Sequence, residues 1–167
     1  MFEITEGKVQ LVHKNERLEK HGDEEVLACD LNFLWETSNG SLALFDPVLR
    51  SMLYKRADDA QMEISPDPEH LTALRFPALA PIKWMAGEVS GGKLVFFTGV
   101  KSRFEVDCIK LGKFKIEAKE GGTVEIGFQI QCRPNEQQSG KLSKFYADKH
   151  CLVTFTPPPA PDDLAGE

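Results

Sequence analysis

Hydrophobic and polar residues alternate strictly along residues 113–133, and this alternation predicts a β-hairpin. Most odd-numbered positions hold charged or amide side chains, and Gly121-Gly122 interrupts the pattern near its middle. The even-numbered apolar residues are Phe114, Ile116, Ala118, Val124, Ile126, Phe128, Ile130 and Cys132. A period of two over this length is typical of half-buried antiparallel strands. The pattern therefore favours a mainly β fold, but it does not indicate a function.

The register of this hairpin follows from which residues can share a face. Inward residues that oppose one another need numbers with an even sum, which a three-residue loop provides and a two-residue Gly121-Gly122 loop does not. A loop of residues 120–122 puts Gly122 in the left-handed position of a type I turn with a bulge. A loop of residues 121–123 would instead put β-branched Thr123 at positive φ. The expected pairs are Phe114–Phe128, Ile116–Ile126 and Glu117–Glu125, and the last costs roughly 0.2–1 kcal/mol as a like-charge pair.

Shorter alternating segments predict the other strands. They are Phe2–His13, 26–36, Leu71–Phe76, Ile82–Glu88, Leu94–Thr98, 103–108 and Cys151–Phe155. The charged stretch Asn15–Glu25 reads as a loop between the first two strands, and Ser90-Gly91-Gly92 reads as a second hairpin turn. The phase of the alternation changes at Ile109 and Leu111, which predicts a bulge or a tight bend before Gly112.

Two segments depart from the alternation. Residues 46–55 carry Asp46 as a cap, Pro47 in the first turn and apolar residues at helical spacing, so we expect one short helix that plugs an end of the β structure. Residues 135–140 read as a loop, and residues 142–149 fit a helical turn as well as a strand. The prediction is thus a mainly β, antiparallel β-sandwich or open barrel of about eight to nine strands with one or two short helices.

Length and composition predict one domain. With 167 residues, of which 41% are hydrophobic and 28% charged, the chain is typical of a single globular domain, which we place at residues 1–156. Pro157-Pro158-Pro159 should end regular structure, and residues 157–167 form a Pro-rich acidic tail that we expect to be mobile. No apolar run approaches the roughly 18 residues of a membrane span, and the N-terminus lacks a signal-peptide pattern. We therefore expect an unprocessed cytoplasmic protein without membrane contact.

The residues that carry chemistry show no catalytic or metal-binding pattern. Four widely separated cysteines predict buried reduced thiols rather than a disulfide framework or a zinc site. They are Cys29, Cys108, Cys132 and Cys151. The cluster His21–Glu25 joins an imidazole to three carboxylates, but without ligand spacing it favours a solvated strand connection. No nucleophile elbow, phosphate loop, His-Glu-x-x-His pair or dinucleotide fingerprint occurs. We expect a non-enzyme without metal or cofactor.

Basic and aromatic residues gather in the second half of the chain. Residues 1–90 hold 9 Lys and Arg against 16 Asp and Glu, whereas residues 91–159 hold 11 against 7. Cations interleaved with aromatic rings on a β surface can follow the phosphates of a single strand while bases stack on the rings. The alternative is a solvated sheet face, with Phe104 and Phe145 in the core. The candidate nucleic-acid-binding residues, with Tyr146 as the main stacking candidate, are Lys101, Arg103, Lys113, Lys115, Lys119, Arg133, Lys141, Lys144, Tyr146 and Lys149.

Two segments in the first third of the chain have a distinctive sequence. They read His21-Gly22-Asp23-Glu24-Glu25-Val26-Leu27-Ala28-Cys29-Asp30-Leu31 and Phe45-Asp46-Pro47-Val48-Leu49-Arg50-Ser51-Met52-Leu53-Tyr54. Both resemble a pattern in uncharacterised small β-rich accessory proteins of tailed phages and prophages, which often sit beside recombination and replication genes. The resemblance implies a phage accessory protein in the host cytoplasm, with single-stranded DNA as the expected partner. It transfers no functional residue.

The tail gives a second hint towards this hypothesis, although its ending favours a frayed terminus over a docking arm, and two other functions stay open. A triple-proline spacer followed by Asp162-Asp163 resembles the acidic C-terminal arm of single-strand binding proteins, although this chain ends in Leu-Ala-Gly-Glu without their terminal aromatic. One alternative is a structural virion protein, and self-association into a homo-oligomer is compatible with each function. The other is a protein–protein interaction module that inhibits a host enzyme or defence complex through an acidic surface, made of Asp23, Glu24, Glu25, Asp58, Asp59 and Glu63.

Overall fold

Antiparallel strands make up most of the chain. The computed structural model describes residues 1–58 and 69–160. Within these ranges the elements are β1 (Ile4–His21), β2 (Glu24–Ser38), a 3₁₀ helix (Asn39–Leu44), α1 (Leu49–Leu53), β3 (Tyr54–Arg56), β4 (Leu71–Leu74), β5 (Ile82–Trp84), β6 (Val89–Ser90), β7 (Lys93–Phe97), β8 (Arg103–Lys119), β9 (Thr123–Cys132), α2 (Glu136–Asp148) and β10 (His150–Thr156). The predicted mainly β fold is confirmed, but the described ranges hold three helices instead of one or two. None of these described helices combines the length and the apolar character that crossing a bilayer requires.

Six of these strands close into an antiparallel barrel. Their order is β8-β7-β10-β1-β2-β9, and β9 pairs with β8 to complete the ring. The short strands β5 and β6 also pair with β8, and β3 and β4 form a separate two-stranded sheet. Since each ring strand is hydrogen-bonded on both sides, the ring does not present the open edge at which sheets associate.

The hairpin predicted over residues 113–133 is formed by β8 and β9. Ile116 pairs with Ile126 as predicted, and the loop consists of residues 120–122. Gly122 has the expected positive φ, 80°, but Gly121 also has a positive φ, 86°. The loop is therefore not the predicted type I turn with a bulge, because a type I turn needs negative φ at both central positions.

Two bulges interrupt β8. Its register against β9 shifts between Cys108 and Lys110, as the change of phase predicted, and again between Gly112 and Lys115. The predicted pair Phe114–Phe128 falls in the second shift and is not part of the ladder between these two described strands, although both rings are buried. A local bulge of this kind cannot be predicted from alternation alone, because the strand segments before and after it both keep their apolar residues on the inner face.

The first hairpin is longer than predicted. β1 continues to His21 and pairs with β2 throughout, so the prediction of a loop over Asn15–Glu25 is wrong. Charged residues of this segment pair across the ribbon, since Arg17 Nη1 lies 2.6 Å from Asp30 Oδ2. The ladder between β2 and β9 ends at Cys29, and beyond it the ribbon extends past the barrel with β1 and β2 paired to each other. Polar residues occupy both faces there, so alternation gives no strand signal.

Ser90-Gly91-Gly92 is not a hairpin turn, and that prediction is wrong. The strands on its two sides, β6 and β7, both pair with β8 in one continuous register. The glycines instead allow the chain to pass close to the end of β10. A Cβ at Gly92 would lie only 2.8 Å from the carbonyl oxygen of Thr156, so a larger residue does not fit there. The strand predicted over Ile82–Glu88 is shorter than expected, since β5 covers Ile82–Trp84.

Helix α2 closes one end of the barrel, so the loop predicted for residues 135–140 is wrong. A capping box fixes its start: Gln138 N donates to Asn135 Oδ1 at 2.8 Å, and Asn135 N donates to Gln138 Oε1 at 2.9 Å. Leu142 on the inner face of this helix is fully buried in the core. Asn-x-x-Gln is a recognisable helix start, and the sequence therefore held the signal that predicts α2.

The opposite end of the barrel is closed by the 3₁₀ helix, α1 and β3, in line with the predicted short helix. Asp46 Oδ1 accepts from Val48 N at 2.8 Å. Tyr54 is fully buried, and its hydroxyl accepts from Lys119 N at 3.0 Å while it donates to Thr123 O, 2.6 Å away, or to Lys119 O, 2.9 Å away. Burial raises the pKa of Tyr54, so the hydroxyl keeps the proton that it donates. Tyr54 thus ties this end to the β8–β9 loop.

Replacing Tyr54 with Phe should destabilise the fold by about 1–3 kcal/mol, because backbone groups of Lys119 and Thr123 lose their partner in a buried site. Urea unfolding followed by fluorescence measures the free energy of unfolding. Tyr146→Phe is the matched control, since Tyr146 is 42% exposed, and this variant should unfold like the wild type. Equal midpoints for the two variants would contradict the role assigned to the Tyr54 hydroxyl.

Candidate nucleic-acid interface

A half-open pocket of about 820 Å³ lies between α2, the β7–β8 hairpin and the first residues of β10. Sites for small ligands span about 300–1,000 Å³, so this pocket is large enough to hold a nucleotide-sized group. Four of the ten predicted binding residues line it, and they come from segments far apart in the sequence. They are Lys101, Arg103, Lys141 and Lys144.

Stacked aromatic rings form the floor of the pocket. Phe145, half-buried on α2, stacks on Phe96 with ring centroids 4.6 Å apart, and the ring of Phe104 lies 6.2 Å from that of Phe145. Phe97 is half-exposed on the wall. Phe104 belongs to the core and Phe145 packs against it, as the alternative interpretation expected, and both rings also line the pocket.

Side-chain contacts fix α2 over this floor. Gln138 Nε2 donates to the carbonyl oxygen of Glu105 on β8 at 3.0 Å. On the other side, Lys14 and Ser139 both contact the carboxylate of Glu16 on β1. Hydrogen bonds from Lys14 and Ser139 hold the pKa of Glu16 below its ordinary value. The helix is therefore held to two strands, and its cations stay at the pocket.

The four pocket cations carry charge that the fold does not neutralise. Arg103 lies over the Phe97 ring at 5.7 Å and Lys141 over the Phe104 ring at 5.3 Å, distances at which a cation is attracted to a ring face. With the described residues, none of the four forms an ion pair at 4.0 Å or less. Their charge is thus available to an anionic ligand.

Sequence reasoning missed four polar residues of this pocket, and two of them, Asp148 and His150, are titratable; the other two are Thr98 and Ser102. Asp148 at the end of α2 and His150 at the start of β10 both line it. A helix that begins after Asn135 places Lys141, Lys144 and Asp148 on one face, since residues three and four apart are neighbours on a helix. The missed signal was therefore the capping box, because without it residues 135–140 read as a loop.

Two predicted lysines lie on the outer face of β8, away from the pocket. Lys113 and Lys115 are exposed there, ten and twelve residues along the strand from Arg103, which is roughly 33 and 40 Å at ~3.3 Å per residue. Glu105 and Asp107 occupy the same outer face between them. The structure therefore does not join these two lysines to the pocket cations in one continuous basic track.

The remaining predicted residues are paired or lie at the end of α2. Lys119 Nζ lies 3.1 Å from Glu125 Oε2, and this hydrogen bond raises the pKa of Lys119. Arg133 contacts His21 at 2.9 Å. Tyr146 and Lys149 are exposed near the C-terminal end of α2, but neither lines the pocket.

The thiol beside the pocket is not a nucleophile at neutral pH. Burial raises the pKa of Cys151 to about 12, and it does the same for Cys108. Contact with the Cys29 thiol, together with burial, raises the pKa of Cys132. Across residues 1–58 and 69–160, no group of three or more His, Cys, Asp and Glu side chains is placed to hold a metal ion.

Comparison with known proteins does not assign this chain to a family. The chain matches no protein-family model, no curated protein and no solved structure. The function is therefore argued from the charge, the aromatic rings and the size of the pocket, together with the resemblance noted in the sequence.

In the native protein Cys151 should resist alkylation by iodoacetamide near pH 8, because the reactive thiolate forms only as the pH approaches about 12. Mass spectrometry of peptides from labelled protein measures the extent of reaction. The same treatment in denaturant is the control, and there all four cysteines should be labelled. Rapid labelling of Cys151 in the folded protein would show that the thiol is more accessible and more acidic than its burial implies.

Proposed function

We propose that this protein is a non-catalytic single-stranded DNA-binding protein that serves phage recombination or replication in the host cytoplasm. The observation that supports this function is the set of four cations, without ion pairs to described residues, around one pocket with an aromatic floor. The phage setting is supported by the resemblance of residues 21–31 and 45–54.

Each part of the pocket suits a different part of a nucleotide. Lys101 and Lys144 are exposed and can donate to phosphate oxygens. The guanidinium of Arg103, which lies over Phe97, can stack on a base. Bases in a duplex are paired and stacked inside the helix, so an unpaired strand can insert a base into a pocket of this size at much lower cost. Binding should therefore favour single strands.

The net charge of −6 does not oppose this binding strongly. At physiological salt the Debye length is about 8 Å, so exposed charges farther away are largely screened. The pocket cations then dominate the field that a bound phosphate experiences. Because binding releases counterions from the strand, affinity should fall by roughly 0.7 log unit per log unit of salt for each phosphate contact.

For the architecture, we propose a small closed barrel rather than a sandwich. Pairing of β9 with β2 on one side and β8 on the other supports this class, because it leaves no break between two sheets. The pocket then lies at one mouth of the barrel, beside α2, and mouths of barrels are common places for ligand sites.

The double variant Lys141→Ala/Lys144→Ala should bind oligo-dT roughly five- to thirty-fold more weakly than the wild type at low salt, since it loses two exposed ion pairs of about 0.5–1 kcal/mol each. The slope of log Kd against log salt should fall by roughly 1.4 for the same reason. Fluorescence anisotropy with labelled oligo-dT, repeated over a salt series, measures both quantities.

Lys83→Ala/Lys115→Ala is the matched control. It removes the same charge from the outer face of the sheet, where these two lysines oppose one another, and it should keep the affinity and the salt slope of the wild type. Equal weakening by both double variants would place the strand on the outer surface instead of the pocket. No binding of oligo-dT by the wild type at low salt would reject the function.

The second candidate is an interaction module that docks on a basic partner through acidic residues. The ribbon beyond the barrel favours it, because Asp23, Glu24 and Glu25 are all exposed at its tip. Asp58 is also exposed, whereas Asp59 and Glu63 lie outside the described residues. In this case the wild type should bind no oligonucleotide, and neutralising the three residues at the tip should abolish a stoichiometric complex with the partner.

A further inference from the structure

One carboxylate lies among the pocket cations. Asp148 lines the same pocket as Lys144, which is one helical turn earlier on α2. Asp148 is exposed, and within the described residues it makes no ion pair at 4.0 Å or less and no side-chain hydrogen bond. A carboxylate in a site for phosphates weakens their binding, so its presence calls for a ligand group that a carboxylate can hold.

The position of Asp148 is also unfavourable for the fold. It is the last residue of α2, where the negative end of the helix dipole repels a carboxylate and favours a cation. The next residue, Lys149, caps the helix with a φ of 65°, a conformation that glycine adopts far more readily. Neither choice is offset by a side-chain hydrogen bond or an ion pair of these two residues with the described part of the protein. Local conflicts of this kind are expected where a residue serves a ligand.

We propose, building on the single-stranded DNA binding described above, that Asp148 selects the base that enters the pocket. Its carboxylate accepts hydrogen bonds from bases that carry an amino group on the Watson–Crick edge. Cytosine offers its N4 amino group, and guanine offers two adjacent donors, N1–H and the N2 amino group. Thymine offers one N–H between two carbonyl oxygens, which the carboxylate repels. Asp148 is thus a specificity residue that prefers guanine and cytosine over thymine.

The orientation of the strand follows from the same charges. Phosphates are drawn to Lys101 and Lys144 and repelled by Asp148, so the backbone should follow the lysines while the edge of the base turns towards the carboxylate. The pocket then reads one base of an otherwise unselected strand. Preferences of this size are modest beside the electrostatic part of binding, which does not depend on sequence.

The test compares dissociation constants for dT, dC and alternating d(TG) oligonucleotides of equal length by fluorescence anisotropy. The wild type should bind the dC and d(TG) strands about five-fold or more tightly than dT. Asp148→Asn should lose this preference and bind dT more tightly than the wild type does, because the repulsion is removed. Asp148→Glu keeps the carboxylate and should keep the preference. Glu117→Gln, which removes the same charge from the outer face of β8, should leave the ratio of the constants unchanged.

The outcomes separate this inference from the function on which it rests. Equal binding of all three strands by the wild type would overturn the role of Asp148 and leave single-stranded DNA binding intact. A preference that persists in Asp148→Asn would also overturn that role. Failure of every strand to bind would reject the proposed function itself, and the base preference with it. Thermal unfolding of each variant shows that a changed constant does not come from a lost fold, as expected for an exposed side chain.

Discussion

The long strand β8 is the element on which the rest of the structure depends. Over Arg103–Lys119 it pairs with β7, then β6, then β5, and it also pairs with β9 from Cys108 onwards. The pairing that closes the barrel, β8 with β9, is therefore made by β8, and so is the pairing with β7 on its other side. Its bulges keep apolar residues inward through two changes of register, so the core stays continuous along its whole length. Arg103 and Phe104, the first two residues of β8, line the pocket because β8 begins at the end of the barrel that α2 closes.

Helix α2 makes the core and the pocket at the same time. Leu142 on its inner face is fully buried, and Phe145 packs over the rings of Phe96 and Phe104. The outer part of the same helix carries the lysines that surround the pocket. Because a helix that closes a barrel must be anchored to several strands, its cations are held in place without further support. One element therefore contributes to the core and also places two cations at the pocket.

The parts of this fold that could be predicted are those where the two faces of a strand meet different surroundings. The register of the β8–β9 hairpin was predictable next to its loop, because Ile116 and Ile126 must both face the core, but not across the bulge between Gly112 and Lys115. The end of the β1–β2 ribbon over residues 15–25 was not predictable, since its residues meet water on both faces and show no alternation. The pocket was predictable in part. Its lysines were visible as basic residues near aromatic ones, but Asp148 and His150 required knowledge of where α2 ends. Long-range pairing, such as β9 with both β2 and β8, left no local signal.

The close contact at Gly92 has a mechanical consequence for the opposite side of the molecule. Strand β10 is only seven residues long. Its final residues, Phe155 and Thr156, lie close to Gly92, and its first residues line the pocket. A methyl group at position 92 would require the end of that doubly paired strand to shift, because it would lie 2.8 Å from the carbonyl oxygen of Thr156. Displacement would then reach His150, which borders the pocket. A glycine far from the pocket thereby constrains the strand that borders it.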